Sequence, residues 1–299
     1  MTPRILGPDI EPWLTWSGLT DALEAGHTRP KAEIKDAFLY QGGNTLLNRA
    51  AWIAGLGLLV KAATVFPGNG AHRLPSVNGA ATLFDDQTGV LTALVDFHLL
   101  TKWKTAGDSL LSAKRLARKD ARRILLVGAG SVARAMHSAY LSAFPEARFT
   151  VWSRSRASAE AMGLPVADDL QRAVAQADII CTATMATCPL IKGAWLQPGQ
   201  HLDLIGAYTP AMREVDDEAM ARARLFVDSR ATTLRHIGEL MDPIASGAIS
   251  ESDVIADFYD APAAYARRTE DEITIAKNGG GAHLDLMTAD YIARTAANA

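Results

Sequence analysis

The sequence predicts an α/β protein built on a doubly wound parallel sheet, together with a second domain of α+β type. Three observations carry that reading. Residues 124–127 read Ile-Leu-Leu-Val, a short continuous apolar run typical of a strand buried on both faces, and Gly128 ends it. Comparable runs recur at 148–152, 177–182, 201–205 and 224–228 with helical or loop stretches between them, which is the alternation of a parallel sheet. Before residue 119 the texture differs, with alternating apolar pieces separated by turns.

Taken in order, the chain is polar and irregular to about Phe38. Strands of a second sheet follow at 45–52, 57–66, 80–84 and 91–96, joined by turns such as Pro67-Gly68-Asn69 and Asp85-Asp86-Gln87-Thr88-Gly89. A helix over 101–118 leads into the parallel sheet. The tail from about Ile273 lies beyond the last strand, where Asn278-Gly279-Gly280-Gly281 opens a helix through Leu284, Met287 and Ile292 that returns to complete the first domain. The boundaries are therefore 1–118 with 274–299 for one domain and 119–273 for the other. Neither an internal repeat nor a low-complexity segment is visible.

The strand at 124–127 runs into Gly128-Ala129-Gly130-Ser131-Val132-Ala133 and then an Ala-rich helix to about Ala143. Strand, glycine turn and helix together are the setting of a dinucleotide-binding, Rossmann-type fingerprint. Gly128 permits the tight turn and Gly130 lets the backbone approach a pyrophosphate. Ala133 keeps helix and sheet close, and the N–H groups at the helix start, around Ser131 and Val132, favour an anion. The ligand of such a sheet lies across the carboxyl ends of its strands, where Gly128, Ser153, Thr182, Thr184, Gly206 and Ala207 fall. At the end of the second strand an Asp or Glu would hydrogen-bond the ribose of NAD; here Ser153-Arg154-Ser155-Arg156 offers two guanidiniums and no carboxylate. That composition favours NADPH, with NADH possible, and the bland alternative is a solvated basic turn that tolerates either.

Composition bounds the rest. The chain has 299 residues, 48% of them hydrophobic, and 30 basic against 33 acidic side chains, for a net charge of −3. That length suits one large or two medium domains. Without a Lys/Arg-rich block there is no electrostatic footprint for nucleic acid or an anionic membrane. Met1 to Trp16 is broken by Asp9, Glu11 and Pro12, so it is read neither as a signal peptide nor as an anchor, and the longest apolar stretch, about 50–60, is too short to span a bilayer. A cytoplasmic setting follows, with Cys181 and Cys188 as free thiols. Two thiols with neither a Cys-x-x-Cys motif nor a nearby His cluster do not make a structural zinc site, and no metal is expected.

A dinucleotide fold names a cofactor and not a reaction, so substrate groups must come from the first domain. Arg49, Lys61, Asn78 and Lys104 stand out. Lys61, flanked by Gly-Leu-Leu-Val and Ala-Ala-Thr-Val-Phe, must bring its ammonium to an anion, a cleft or solvent, because lone buried charge is strongly disfavoured. Arg49 can clamp a carboxylate through its planar fork or make a surface ion pair. Asp108 suits a local cap or a pair with Lys104 one turn away, Cys181 reads as a small core residue, and His98 as a packed or solvated ring.

These residues fall in a familiar order. Val60-Lys61-Ala62-Ala63-Thr64-Val65-Phe66-Pro67-Gly68-Asn69, Leu74-Pro75-Ser76-Val77-Asn78-Gly79, Leu83-Phe84-Asp85-Asp86-Gln87-Thr88-Gly89, the stretch from Thr101 to Ser109 and the Gly128-Ala129-Gly130 turn resemble the ornithine cyclodeaminase/mu-crystallin family. So do Leu204-Ile205-Gly206-Ala207-Tyr208-Thr209-Pro210 with Met212-Arg213-Glu214-Val215-Asp216, and Gly238-Glu239-Leu240. The resemblance runs from about Thr45 to Tyr291. It implies a homodimer formed through the first domain, a nicotinamide cofactor and a small amino-acid or cyclic imino-acid substrate. It also implies that Arg49 and Lys61 bind the substrate carboxylate, with Lys61 close to the reacting carbon.

Two departures narrow the activity. Where the cyclodeaminases carry an aspartate that activates water, this chain reads Gly206-Ala207-Tyr208, so that general base is missing. Lys104 replaces the arginine of many relatives, and Lys-Thr-Ala-x-Asp-Ser with Gly-Ala-Tyr-Thr-Pro resembles the branch of Δ1-pyrroline-2-carboxylate reductases, some of which take the six-membered piperideine ring. The resemblance thus implies NAD(P)H-dependent reduction of a cyclic ketimine carboxylate to L-proline or L-pipecolate. Lys61, directly or through water, would manage the proton, with a nearby carboxylate or the substrate's own offsetting the charge, and Asn78, Lys104 and Tyr208 are further substrate-binding candidates. A cyclodeaminase-type lyase, an alanine-type dehydrogenase and a crystallin-like binder without turnover are the competing readings.

Overall fold

Alternating side chains in the first hundred residues resolve into a six-stranded sheet in the computed structural model, which describes residues 2–299. The strands are β1 (Arg4–Leu6), β2 (Glu33–Gln41), β3 (Asn44–Ile53), β4 (Gly57–Val65), β5 (Val77–Phe84) and β6 (Leu91–Asp96), in the order β1-β6-β5-β4-β3-β2. From β2 to β6 every pairing is antiparallel, while β1 joins β6 in parallel. Between β1 and β2 lies helix α1 (Trp16–His27), and after β6 comes α2 (Phe97–Leu116).

Elements before Phe38 are a correction to the irregular reading of that region. Thr15 caps α1 by accepting the Gly18 N–H, and Trp16, Leu19, Thr20, Leu23, Gly26 and His27 are buried at helical spacing. In β2 the sequence Glu-Ile-Lys-Asp-Ala alternates exposed and half-buried side chains. This unit comprises residues up to Lys104 with Gly281–Ala299. The second part is the long helix expected after Gly281, which packs along β2–β5 and on α1.

The other unit, Thr105–Gly280, holds a seven-stranded, wholly parallel sheet in the order β12-β11-β13-β10-β9-β7-β8. Its chain runs β7 (Arg123–Val127), α3 (Ser131–Ala143), β8 (Arg148–Trp152), α4 (Arg156–Glu160), α5 (Leu170–Gln176), β9 (Ile179–Thr182) and β10 (His201–Leu204). It continues through α6 (Asp217–Arg222), β11 (Arg224–Val227), α7 (Arg230–Thr233), α8 (Gly238–Ala245), β12 (Val254–Ala256) and β13 (Thr274–Lys277), before α9 (Ala282–Ala297). Val127, Ile180, Leu204, Val227 and Ile275 are among the side chains that fill the core of this sheet. The strand order reverses between β7 and β9, which defines the ligand crevice at their carboxyl ends.

The observed boundaries differ from 118/119 and 273/274. Helix α2 passes from one unit into the other without a break. Residues 274–277, read as part of the first domain, are instead a strand between β10 and β11, Thr274 pairing with both His201 and Arg224. A four-residue Thr-Ile-Ala-Lys run is too short to announce a strand by pattern. Two flanking ladders and complete burial supply what propensity does not.

Candidate functional site

Arg49 and Lys61 are register partners on β3 and β4, so their side chains stand on one face of the sheet. Helix α9 crosses that face and presents Asp285, fully buried. Lys61 Nζ donates to Asp285 Oδ1 at 2.8 Å and to Thr101 Oγ1 at 2.9 Å, and lies 4.8 Å from the centroid of the Phe97 ring. Arg49 donates through Nε and Nη2 to Asp36, its register partner on β2, at 3.3 and 2.6 Å, and its Nη1 stands 3.9 Å from Asp285 Oδ2. One fork of the guanidinium is thus committed to Asp36, which fixes its plane, and the edge carrying Nη1 remains to recognise an anion.

The charges are coupled. Burial alone would raise the Asp285 carboxyl, but Lys61, Lys104 and Arg49 together hold it below the usual carboxylate range. Burial lowers the Lys61 ammonium by more than Asp285 raises it, so Lys61 gives up its proton more readily than a lysine in water. For Arg49 burial acts downwards, and the Asp36 hydrogen bond together with the Asp285 and Asp36 charges overcomes it. Three cations, Arg49, Lys61 and Lys104, face two carboxylates, Asp36 and Asp285, so the cluster has 3 − 2 = +1 net charge. A net positive charge of this kind suits the recognition of a small anion.

Asp285 is the residue that sequence reasoning missed. That Lys61 needs an anion, a cleft or solvent was legible, but Asp285 sits in Leu-Asp-Leu-Met, where a single acid reads as an outward-facing position of an amphipathic helix. Of the other substrate candidates, Asn78 does not join the cluster. It pairs with Thr64, on the opposite face of β4 from Lys61, and its amide is bonded to Pro75 O at 2.8 Å. Tyr208 belongs to the other unit and is 59% exposed. Asp108 and Cys181 are buried, Cys188 is exposed, both thiols are free, and His98 is exposed with its ring edge-to-face on Phe97.

His283, one turn before Met287 on α9, is fully buried with its ring edge-on to His27. Burial, reinforced by the Lys104, Arg49 and Lys31 charges, pushes it down to about 3. An unfolded chain takes up this proton near pH 6.5, so the unfolded state binds more protons between 6.5 and 3 and stability falls as pH is lowered through that window. The loss grows to the order of 5 kcal/mol once both limits are passed. We expect the melting temperature to drop between pH 6.5 and 4.5, and His283→Gln to flatten that drop; an unchanged slope would exclude His283 as its source.

In the parallel unit the first crossover has the features required for a dinucleotide. Gly128 has φ +117°, and a Cβ there would meet Ala183 O at 2.4 Å, so no other residue is accommodated. At Gly130 a Cβ would meet nothing within 4 Å, which leaves open space beside the backbone. Helix α3 has Gly130 at its N-cap and no side-chain cap, so the N–H groups of Ser131 and Val132 are available to a pyrophosphate. At the end of β8, Ser155 caps α4 and Arg156 is held by Glu160 and Asp168, whereas Arg154 is exposed and makes no ion pair among the described residues. Thr182, Thr184, Gly206 and Ala207 converge on one buried carboxylate, Glu214, which the sequence reading did not single out.

A dinucleotide-binding α/β unit and an α+β unit bearing a cationic, aspartate-braced cluster define a class of two-domain nucleotide-dependent proteins. Within that class the chain belongs to the ornithine cyclodeaminase/mu-crystallin family, whose model matches residues 53–299. It is 52% identical over 296 residues, 95% of this chain and 94% of the relative, to a Delta(1)-pyrroline-2-carboxylate reductase of Paracoccus denitrificans. It is 32% identical over 245 residues to the ketimine reductase mu-crystallin of Rattus norvegicus, covering 79% of this chain and 75% of the other. Among solved structures, the Thermococcus litoralis Delta(1)-pyrroline-2-carboxylate reductase in complex with NADH and L-proline superposes with a TM-score of 0.89 at 25% identity, over 99% of this chain and 98% of that one. Among the described residues, no group of three or more His, Cys, Asp or Glu could hold a metal ion, and no helix is long and apolar enough to cross a membrane.

Proposed function

We propose that the protein is an NAD(P)H-dependent imine reductase that converts a cyclic ketimine carboxylate, Δ1-pyrroline-2-carboxylate or Δ1-piperideine-2-carboxylate, to L-proline or L-pipecolate. The observation that carries the reading is the buried Lys61–Asp285 pair beside Arg49, a proton-bearing ammonium within a cluster of one net positive charge. The names of the relatives above support the same substrate class. The Nη1 edge of Arg49 and the Lys61 ammonium, with Lys104 nearby, take the substrate carboxylate and fix the ring. Lys61 gives its proton to the ring nitrogen, and Asp285 stabilises the ammonium until it does so. The nicotinamide supplies the hydride to the imine carbon when bound. Lys61 is then reprotonated from water, so one proton and one hydride are consumed for each C=N bond reduced.

A lyase reaction lacks support at the position where a water-activating carboxylate is needed. Tyr208, which follows Gly206-Ala207 where the cyclodeaminases have that aspartate, is 59% exposed and carries no carboxylate. The deciding experiment follows NAD(P)H absorbance with each ring imine in turn. Rapid oxidation supports the reductase; its absence with both imines, set against ammonia release from ornithine, would overturn it in favour of the lyase.

NADPH is the cofactor we assign as preferred, on the strength of Arg154. Because Arg156 is already engaged locally, Arg154→Ala should weaken NADPH about tenfold while NADH changes little, and Arg156→Ala should do much less. Equal loss of both cofactors in Arg154→Ala would remove the 2′-phosphate role. We also propose a cytoplasmic homodimer, formed through the sheet face opposite α9. Leu39, Trp52 and Val60 are exposed there, beside the half-buried Leu46, Leu58 and Phe84. Val60→Glu should give a monomer by light scattering, and a dimer that survives it would direct attention to another face.

A further inference from the structure

Glu214 precedes α6 in the loop that follows β10, and its side chain is fully buried. Its Oε1 accepts the Thr184 backbone N–H at 2.9 Å and the Thr184 hydroxyl at 2.6 Å. Its Oε2 accepts the Thr182 hydroxyl at 2.6 Å and the backbone N–H groups of Gly206 and Ala207 at 2.8 and 3.4 Å. Five donors from the ends of two neighbouring strands therefore close on one carboxylate. The fit has no slack: a Cβ at Gly206 would meet Thr184 O at 2.2 Å and Glu214 Oε1 at 2.4 Å.

The brace is itself braced. Glu239, near the start of α8, accepts the backbone N–H groups of Glu214 and Val215 at 2.8 and 3.0 Å. From the other side Lys277, buried at the end of β13, donates to the carbonyls of Leu204, Ala207 and Asn278 at 2.7, 2.8 and 2.8 Å. The turn after β10 is thus held by its N–H groups through Glu214 and by its carbonyls through Lys277. Such an arrangement costs several desolvated charges, more than a plain strand-to-loop connection needs.

In a sheet of this order the pyrophosphate lies over the β7–α3 turn and the adenosine over the end of β8, so the second half of the dinucleotide extends over β9 and β10. We infer that Glu214 is a positioning residue of the cofactor cleft, which fixes the loops after β9 and β10 against the nicotinamide half of the dinucleotide and leaves the adenylate half untouched. The inference rests on the reading of this cleft as an NAD(P) site.

The test compares NADPH with adenosine 2′,5′-bisphosphate, which carries only the adenylate half, by titration calorimetry on wild-type protein and on Glu214→Gln. An amide presents a donor where Glu214 offers only acceptors, so at least one strand end is released. We expect NADPH to bind at least tenfold more weakly to the variant, with the bisphosphate within twofold of wild type. A generally loosened fold would weaken both in the same proportion, and that outcome, or unchanged NADPH affinity, overturns the inference. Should Glu214→Gln fail to fold, Thr184→Val removes one hydroxyl donor and is expected to weaken NADPH about threefold with the bisphosphate again unchanged. Wild-type protein that binds neither probe would instead overturn the cofactor reading. None of these titrations depends on the imine substrate.

Discussion

Lys61→Met should lower kcat/KM for the ring imine by about a thousandfold, in the middle of the range for a lost acid–base group, and leave NADPH affinity within twofold. Methionine keeps the length and apolar volume of the lysine stem, so β4 and the contact with Phe97 are retained while the proton and the charge are removed. Both kinetic constants should suffer. KM rises because a charge that recognises the substrate carboxylate is gone, and kcat falls because no group replaces the proton donor. The measurement is a steady-state assay beside a fluorescence titration of NADPH, and near-normal turnover would take Lys61 out of the mechanism. The same variant leaves Asp285 buried without its 2.8 Å partner, which favours a protonated carboxyl.

Asp285→Asn carries the second large effect. It leaves the Lys61 ammonium in a buried position with its nearest anion removed, a change that costs about 3–5 kcal/mol for a broken buried pair. The sign for catalysis follows from the same loss. Asp285 is what raises Lys61 against burial, so without it Lys61 deprotonates at lower pH. A reaction that needs the ammonium then fails at lower pH. The expected result is a clear fall in melting temperature together with a pH–rate profile whose alkaline limb moves towards acid. A variant with wild-type stability and an unmoved limb would show that Asp285 is not the counter-ion that governs Lys61.

Strands buried on both faces were the most legible part of this chain. Residues 124–127, 148–152, 201–205 and 224–228 lie in the parallel sheet within a residue of the expected bounds; 124–127 is the continuous apolar run that burial on both faces demands, whereas 148–152, on the edge strand β8, alternates buried with exposed or half-buried side chains. Helix α1 was hidden by composition. Gly18 and Gly26 lower helix propensity, and at Gly26 a Cβ would meet the Met287 side chain at 2.5 Å, so α1 and α9 approach closely where local preference is weakest. Within the site, Lys61 was conspicuous because a cation in an apolar strand needs a reason, whereas Asp285 and Glu214 look ordinary in their own segments. Their roles come from partners 224 and 30 to 32 residues away, a distance over which no periodicity carries information.

The placement of β13 and α9 also has a meaning for biosynthesis. Residues 274–277 fill the gap between β10 and β11, and the helix that follows packs along β2–β5 and supplies the carboxylate to Lys61. Neither sheet can finish its core before that stretch has left the ribosome, so folding in both units waits on one late segment. Emerging chains must hold open, apolar strand edges in the meantime, which makes them clients for chaperones and gives a premature stop near residue 270 consequences for the whole molecule.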